Sequence, residues 1–296
     1  MEVVVFGAGS LGSLVGGVLA RHHEVTLVGR PDHVAAVNAD GLRLSGELDD
    51  HVWPTATTDG TGLTADLAVV TVKSTDTATA AETLATGTYD AAVSLQNGMG
   101  NEAQLAEALS CPVLAGTATY GAVLADPGHV RCTGVGEVVV GARDGGPSPV
   151  ADRVGEIFTA ADLETTVATD MPRRLWTKLA VNAGINPVTA ISRRRNGAVC
   201  EPPLASVARA AARETAQTAR AHDVALSDER ALTALRDVAT ATASNTSSML
   251  QDVRAGRQTE IDAICGYVVD RADAAGIDVP TNRLLAALVG GLDTGD

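Results

Sequence analysis

The segment Gly7-Ala8-Gly9-Ser10-Leu11-Gly12 lies directly after the apolar run Val3–Phe6 and opens a helical stretch over Leu14–Arg21. No other feature of the chain limits its fold so sharply. A strand that ends in a G-x-G-x-x-G turn and leads into a helix is the start of a βαβ unit, and each glycine there has a physical task. One permits the tight turn, one lets a pyrophosphate approach the backbone, and one allows close helix–strand packing. The helix N-terminus then offers free N–H groups and a partial positive charge. The loop Gly7–Gly12 is therefore expected to bind a dinucleotide.

The rest of the first half keeps to that plan. Short β-branched runs at Glu24–Val28, Leu67–Val72, Ala91–Leu95, Val113–Thr117, Glu137–Gly141 and Glu164–Ala168 alternate with amphipathic stretches, among them a helix over Val150–Ala161. Their continuity suits a parallel sheet covered on both faces. From Asp170 the texture becomes Ala-rich, Arg-dotted and helical in period, and Asp170-Met171-Pro172 reads as a helix start. The expected architecture is an N-terminal Rossmann-type doubly wound α/β domain, residues 1–169, followed by an all-α domain, residues 170–296. In the second half a helix is expected over Ser244–Ala255, ended by Gly256. Another should be capped by Thr259, hold Glu260 in its first turn and stop at Gly276.

The chain opens on Met1-Glu2 and a strand, with no basic leader, and no apolar stretch reaches the roughly 20 residues of a membrane helix. Cys111, Cys132, Cys200 and Cys265 form no C-x-x-C pair and read as reduced thiols, so a cytoplasmic protein without a metal is expected. A net charge of −14 argues against nucleic acid or an anionic membrane as partner. Together with scarce lysine and few aromatics, it suggests an acidic surface adapted to high internal salt, where dense carboxylates repel one another less. Anionic ligands would then need a local basic island, for which Arg30, Lys73, Lys178, Arg254 and Arg257 are the candidates. A homodimer is compatible with this composition.

Only two lysines occur, Lys73 and Lys178, among 22 basic residues. A lysine can be tuned to hand over a proton, whereas arginine stays protonated. Lys73 follows a strand, at the edge where ligands of open α/β sheets collect. Arg30 follows the second strand, where an arginine suits the extra phosphate of NADP(H) and an acid would suit NAD(H). Asn97, in the turn Asn97-Gly98-Met99-Gly100, can bond a ribose or a nicotinamide amide. Lys178, Asn182 and Asn186 are four residues apart and line one helix face. Burying an ammonium and two amides is costly unless a polar group meets them, and a small oxygen-rich substrate would. Pro187 implies a boundary or kink, so Asn186 could instead sit at a helix terminus. Asn245 and Ser248, three apart, share a face of the next helix, and Glu260 is the acid expected in the site. Trp176 reads as core, and Arg193-Arg194-Arg195 as a solvated turn.

These motifs resemble the ketopantoate reductase family of NADPH-dependent 2-dehydropantoate 2-reductases over nearly the whole chain. The resemblance rests on Gly7-x-Gly9-x-x-Gly12, Arg30, Val72-Lys73, Asn97-Gly-Met-Gly100, Trp176-x-Lys178-x-x-x-Asn182-x-x-x-Asn186-Pro187, and Ser248-Met-Leu-Gln-Asp252 through Thr259-Glu260-Ile-Asp262. It implies reduction of 2-dehydropantoate to (R)-pantoate, on the route to coenzyme A, with hydride from nicotinamide C4 and a proton from Lys178. Glu260 would hold the substrate hydroxyl and orient the site, touching the cofactor as well. Asn182, Asn186 and Ser248, with Asn245 as a weaker addition and Asn97 beside the cofactor, would bind the substrate's hydroxyl and carboxylate. NADPH is the cofactor implied and NADH the alternative. Competing readings are reduction of a related 2-oxo acid, a β-hydroxyacid dehydrogenase, and a nucleotide-binding regulator without turnover.

Overall fold

The structure, a computed structural model, describes residues 1–293. The chain divides into two compact units: Met1–Asn97 with Asn101–Met171, and Gly98–Gly100 with the residues from Pro172 onward.

The first unit contains β1 (Glu2–Phe6), α1 (Ser10–Leu19), β2 (Glu24–Val28), α2 (Pro31–Asp40), β3 (Leu42–Gly46), β4 (Asp50–Val52), β5 (Thr55–Thr57), β6 (Thr64–Val70) and α3 (Thr77–Leu84). It continues with β7 (Thr88–Ser94), α4 (Asn101–Ala108), β8 (Val113–Ala118), β9 (Gly121–Asp126), β10 (His129–Gly134), β11 (Val138–Ala142), α5 (Pro149–Ala160) and β12 (Thr165–Val167). Eight strands form the main sheet in the order β12-β11-β8-β7-β6-β1-β2-β5. All neighbours run parallel except β8 and β11, so the expected parallel sheet is corrected at that pair. Alternation along each central strand feeds two cores. Val3, Val5, Leu67, Val69 and Val93 pack with α1 and α5, whereas Val4, Ala68, Val70 and Ala92 pack with Leu84 of α3 and Leu105 of α4. Helices thus cover both faces, and each fully buried Val or Leu contributes roughly 1.5–3 kcal/mol.

A second sheet, β4-β3-β10-β9, was not foreseen. Two adjacent glycines on α1 explain how both sheets reach the same helix. A Cβ on Gly16 would meet Val5 Cγ2 at 3.2 Å in the main sheet, and one on Gly17 would meet Leu44 and Leu42 of the second at 2.8 and 3.0 Å. The helix also begins at Ser10, four residues earlier than its apolar period implied.

The second unit is helical: α6 (Met171–Ser192), α7 (Leu204–Ala221), α8 (Asp228–Ala241), α9 (Ser248–Arg254), α10 (Tyr267–Ala274) and α11 (Pro280–Asp293). Ala208, Ala211, Ala212, Ala216 and Ala219 form the buried stripe of α7. The Glu214 carboxylate accepts from Thr281 N and Asn282 N, each at 2.9 Å, and so ties the N-terminus of α11 to α7. Pro187 does not end α6, which runs on to Ser192. An internal proline costs about 3 kcal/mol. Burial of its neighbours Ile185 and Val188, each worth about 1.5–3 kcal/mol, offsets that cost. Among the described residues no helix is long and apolar enough to cross a membrane.

Candidate functional site

The strand order places a topological switch at β1. From β1 the chain winds outward through β2 and then returns to the other side of β1 as β6. Ligands of open α/β sheets collect outside the carboxyl ends at such a point. Gly7 follows β1 with φ +108°, and a Cβ there would sit 2.6 Å from Val72 N, which closely follows β6. A Cβ on Gly12 would strike Gly7 O and the Thr71 hydroxyl. These two glycines therefore answer to the protein's own packing. Gly9 does not, because its Cβ would find nothing nearer than 4.0 Å. What glycine supplies at that position is bare backbone.

The six loop residues divide the work. Gly7 N and Ala8 N both donate to Val28 O, at 3.0 and 2.8 Å, and Gly9 N donates to Gly7 O. The first two bonds hold the loop against β2, and the third closes the turn on itself. Ser10, Leu11 and Gly12 carry the N–H groups that the first turn of α1 leaves without an intrahelical acceptor. Ser10 Oγ accepts from Leu124 N at 3.0 Å, which uses a lone pair and keeps the hydroxyl proton for a ligand. Arg30, exposed at the end of β2, is the N-cap residue of α2, and Lys73, half-buried beyond β6, begins the 3₁₀ turn Ser74–Asp76. Neither turn is capped by a side chain, nor is α1. By contrast Ser148, Ser227 and Ser247 cap α5, α8 and α9. Open N-termini with nearby cations suit phosphates. Asn97 is half-buried just beyond β7, and Gly98 and Gly100 after it have φ values of +80° and +90°.

In the second unit, Lys178, Asn182 and Asn186 lie along one face of α6, the first two half-buried and Asn186 buried. Asn186 sits inside the helix, on the expected face, and the alternative of a terminus at Pro187 is not the one found. One turn further on, Thr189 Oγ1 meets Ser247 Oγ at 2.7 Å, both side chains being buried. Ser247 also accepts from Leu250 N at 3.2 Å, capping α9. Thus α9 opens at Ser248, not Ser244, and Asn245 stands in the preceding turn, its carbonyl accepting from Asn196 N at 3.0 Å. Asn245 and Ser248 are exposed and do not share a helix face. The Ser-Asn-Thr run prefers turn and cap bonding to helix, which is the physical reason. Thr189 and Ser247 were missed in the sequence; a serine directly ahead of a helical run was the available signal.

Glu260, half-buried, directly precedes the helical run that begins at Ile261, so it lies ahead of the first turn and not within it. The turn leading to it is held by Arg257, whose Nε donates to Asp252 Oδ1 at 3.0 Å. That pairing engages one edge of the Arg257 guanidinium. A π-helical turn, Asp262–Gly266, follows Glu260, and Met99 N donates to Ala263 O there at 3.1 Å. Trp176 is buried against His222 and Tyr267, as core, and Arg193–Arg195 are exposed. The cysteines are unpaired, burial pushes the Cys265 and Cys111 thiols up, and no metal-holding cluster occurs among the described residues.

Two family models match the chain: Ketopantoate reductase PanE/ApbA over residues 3–145 and Ketopantoate reductase PanE/ApbA C terminal over residues 170–293. A 2-dehydropantoate 2-reductase of Halobacterium salinarum is 44% identical over 98% of both chains. The crystal structure of a PanE/ApbA family ketopantoate reductase from Ralstonia eutropha JMP134 superposes with a TM-score of 0.91 at 37% identity, covering 99% of this chain and 98% of that one. A D-mandelate dehydrogenase solved with NADH and anilino(oxo)acetate reaches a TM-score of 0.92 over 99% and 98% of the two chains; at 20% identity the likeness is one of fold. The glycine loop, the cations at the sheet edge and the lysine–asparagine face of α6 are therefore found in a chain that belongs to the ketopantoate reductase family.

Proposed function

We propose that this chain is an NADPH-dependent 2-dehydropantoate 2-reductase that forms (R)-pantoate for coenzyme A synthesis. The observation that carries the reading is the Lys178-Asn182-Asn186 face of α6, in a chain matched along both halves by ketopantoate reductase models. The bare backbone at Gly9 and the uncapped start of α1 fit a pyrophosphate, so Ser10, Leu11 and Gly12 would hold it through N–H groups and the Ser10 hydroxyl. Arg30 would pair with a 2′-phosphate, and Lys73 and Asn97 would hold the remainder of the nucleotide, with Glu260 near the nicotinamide.

When bound, the reduced nicotinamide supplies the hydride from its C4. Lys178 binds the ketone oxygen through its ammonium, and as the carbonyl carbon is reduced the oxygen gains negative charge. The Nζ proton passes to that oxygen, completing the hydroxyl, and solvent returns a proton to the amine. Asn182, Asn186 and Ser248 donate to the substrate's carboxylate and hydroxyl, with Asn245 assisting from its turn. Glu260 accepts from the substrate hydroxyl. For the buried Asn186 such a bond meets a polar group that would otherwise be costly to bury.

The test is nucleotide oxidation with 2-dehydropantoate, with NADPH and NADH run side by side at low and molar KCl. Turnover with NADPH preferred is expected. Arg30→Ala should raise the KM for NADPH about tenfold, the loss of one charged hydrogen-bond partner, and leave that for NADH unchanged. Absence of turnover at every salt concentration, with nucleotide binding intact, would remove this substrate.

A further inference from the structure

We infer that Gln96, Thr77 and Asn101 are positioning residues that fix the two backbone segments carrying Lys73 and Asn97. The inference rests on the cofactor role proposed for those two residues. Lys73 and Asn97 belong to different strand–helix connections, one after β6 and one after β7. The β6–β7 ladder ends at Leu95 N, which donates to Val70 O at 2.9 Å, and beyond that rung regular sheet bonding no longer sets one connection against the other. A buried chain of side chains does so.

It starts at Val72, the residue before Lys73, whose carbonyl accepts from Gln96 Nε2 at 3.1 Å. The same Nε2 donates to Thr77 Oγ1 at 2.7 Å. Thr77 Oγ1 donates to Asn101 Oδ1 at 2.8 Å. Asn101 Nδ2 donates to the carbonyl of Asn97 at 3.0 Å. Ser94 Oγ donates to Gln96 Oε1 at 3.2 Å, satisfying the last amide group.

The polarity of every link is determined by the two ends. Both terminal partners are backbone carbonyls, which only accept, so Gln96 and Asn101 must turn their NH₂ groups toward them. Asn101 is then left with Oδ1 facing Thr77, so the single Thr77 proton must go there. Thr77 in turn can only accept from the second N–H of Gln96. Each polar side-chain atom of the relay thus has a hydrogen-bond partner. Thr77 is 0%, Asn101 1% and Gln96 5% exposed, so no water can substitute for a missing link. A fully satisfied buried network of this kind is rigid, whereas one broken at a single atom is not. The chain's two termini are Lys73's neighbour and Asn97 itself, and this points to nucleotide binding as what the rigidity serves.

The experiment measures NADPH affinity directly, by nucleotide fluorescence in the absence of substrate, with kcat at saturating NADPH and Tm alongside. Thr77→Val keeps the volume and deletes the hydroxyl; its Kd for NADPH should rise about tenfold. At saturating NADPH its kcat should stay within about threefold of wild type, because Lys178 is untouched. Thr77→Ser restores the oxygen and should return the Kd to within about twofold of wild type. Should Thr77→Val prove unstable, Gln96→Met keeps length and bulk while losing both donors, and it gives the same readout. Wild-type affinity in the folded variants, with a lowered Tm alone, would overturn the inference and leave the network as packing. If the wild-type chain itself fails to bind NADPH, the cofactor reading falls and takes this inference with it; the two failures are thereby distinguished.

Discussion

Lys178 poses the sharpest question at the scale of single residues, because its charge and its proton could each account for a place on α6. The substitution Lys178→Arg separates them. A guanidinium keeps the positive charge and its attraction for a carboxylate or an oxyanion, yet it does not release a proton in any condition a protein meets. If Lys178 is the general acid, Lys178→Arg and Lys178→Ala should both lower kcat by about 10²–10⁴ while NADPH affinity is kept. Near-native turnover in the arginine variant would assign the residue to binding alone. At this scale the sequence was informative for a chemical reason. In a chain with 22 basic residues of which two are lysine, a retained ammonium marks a position where guanidinium chemistry does not suffice. The same depletion said nothing about Asn245, whose surroundings are set by the Ser247 cap and not by its own side chain.

Between elements, the least legible contacts in the sequence are those of the second sheet. Leu42 and Leu44 alternate with polar residues over five positions, and β3 pairs with β10 from far along the chain, so periodicity within a window carries too little signal. By contrast β2 occupies the expected residues because Val25, Thr26, Leu27 and Val28 make a short run, rich in β-branched residues, that declares itself locally. His33 of α2 is the joint between these regions. Its Nδ1 accepts from Gly128 N at 3.0 Å, in the β9–β10 connection, so its Nε2 carries the hydrogen that reaches Ser13 Oγ of α1 at 3.0 Å. Protonation would place a second hydrogen against the Gly128 N–H, and burial holds the folded pKa below the ordinary 6.5. With the folded value depressed, the unfolded chain binds the proton first. Stability is therefore complete above about pH 6.5 and is lost as the pH falls below it. Tm should fall as the pH drops below about 6.5 in the wild type, and less steeply in His33→Gln. Parallel curves would show that another group controls the slope.

For the whole molecule the dominant electrostatic fact is excess: 36 acidic residues against 22 basic ones, a net charge of −14. Salt acts on this in two opposing ways. It weakens surface ion pairs such as Arg21–Asp50, Arg220–Asp228 and Arg283–Asp273, all at least partly exposed, and pairs of that kind contribute at most about 1 kcal/mol each. It also screens repulsion among the surplus carboxylates, which extends over many more pairs and longer distances. Raising KCl from 0.1 to 1 M shortens the screening length from about 10 to about 3 Å. Contacts near 3 Å survive that change in part, whereas repulsions over longer distances do not. The balance should therefore favour the folded state, and Tm should rise by at least about 3 °C over this range, corresponding to roughly 1 kcal/mol for a chain of this size. Potassium chloride is the appropriate salt, since sulfate would stabilise through exclusion from apolar surface whatever the charge. A flat or falling Tm in KCl would mean that the ion pairs outweigh the surplus, and that the acidic composition has no bearing on how the folded state is stabilised.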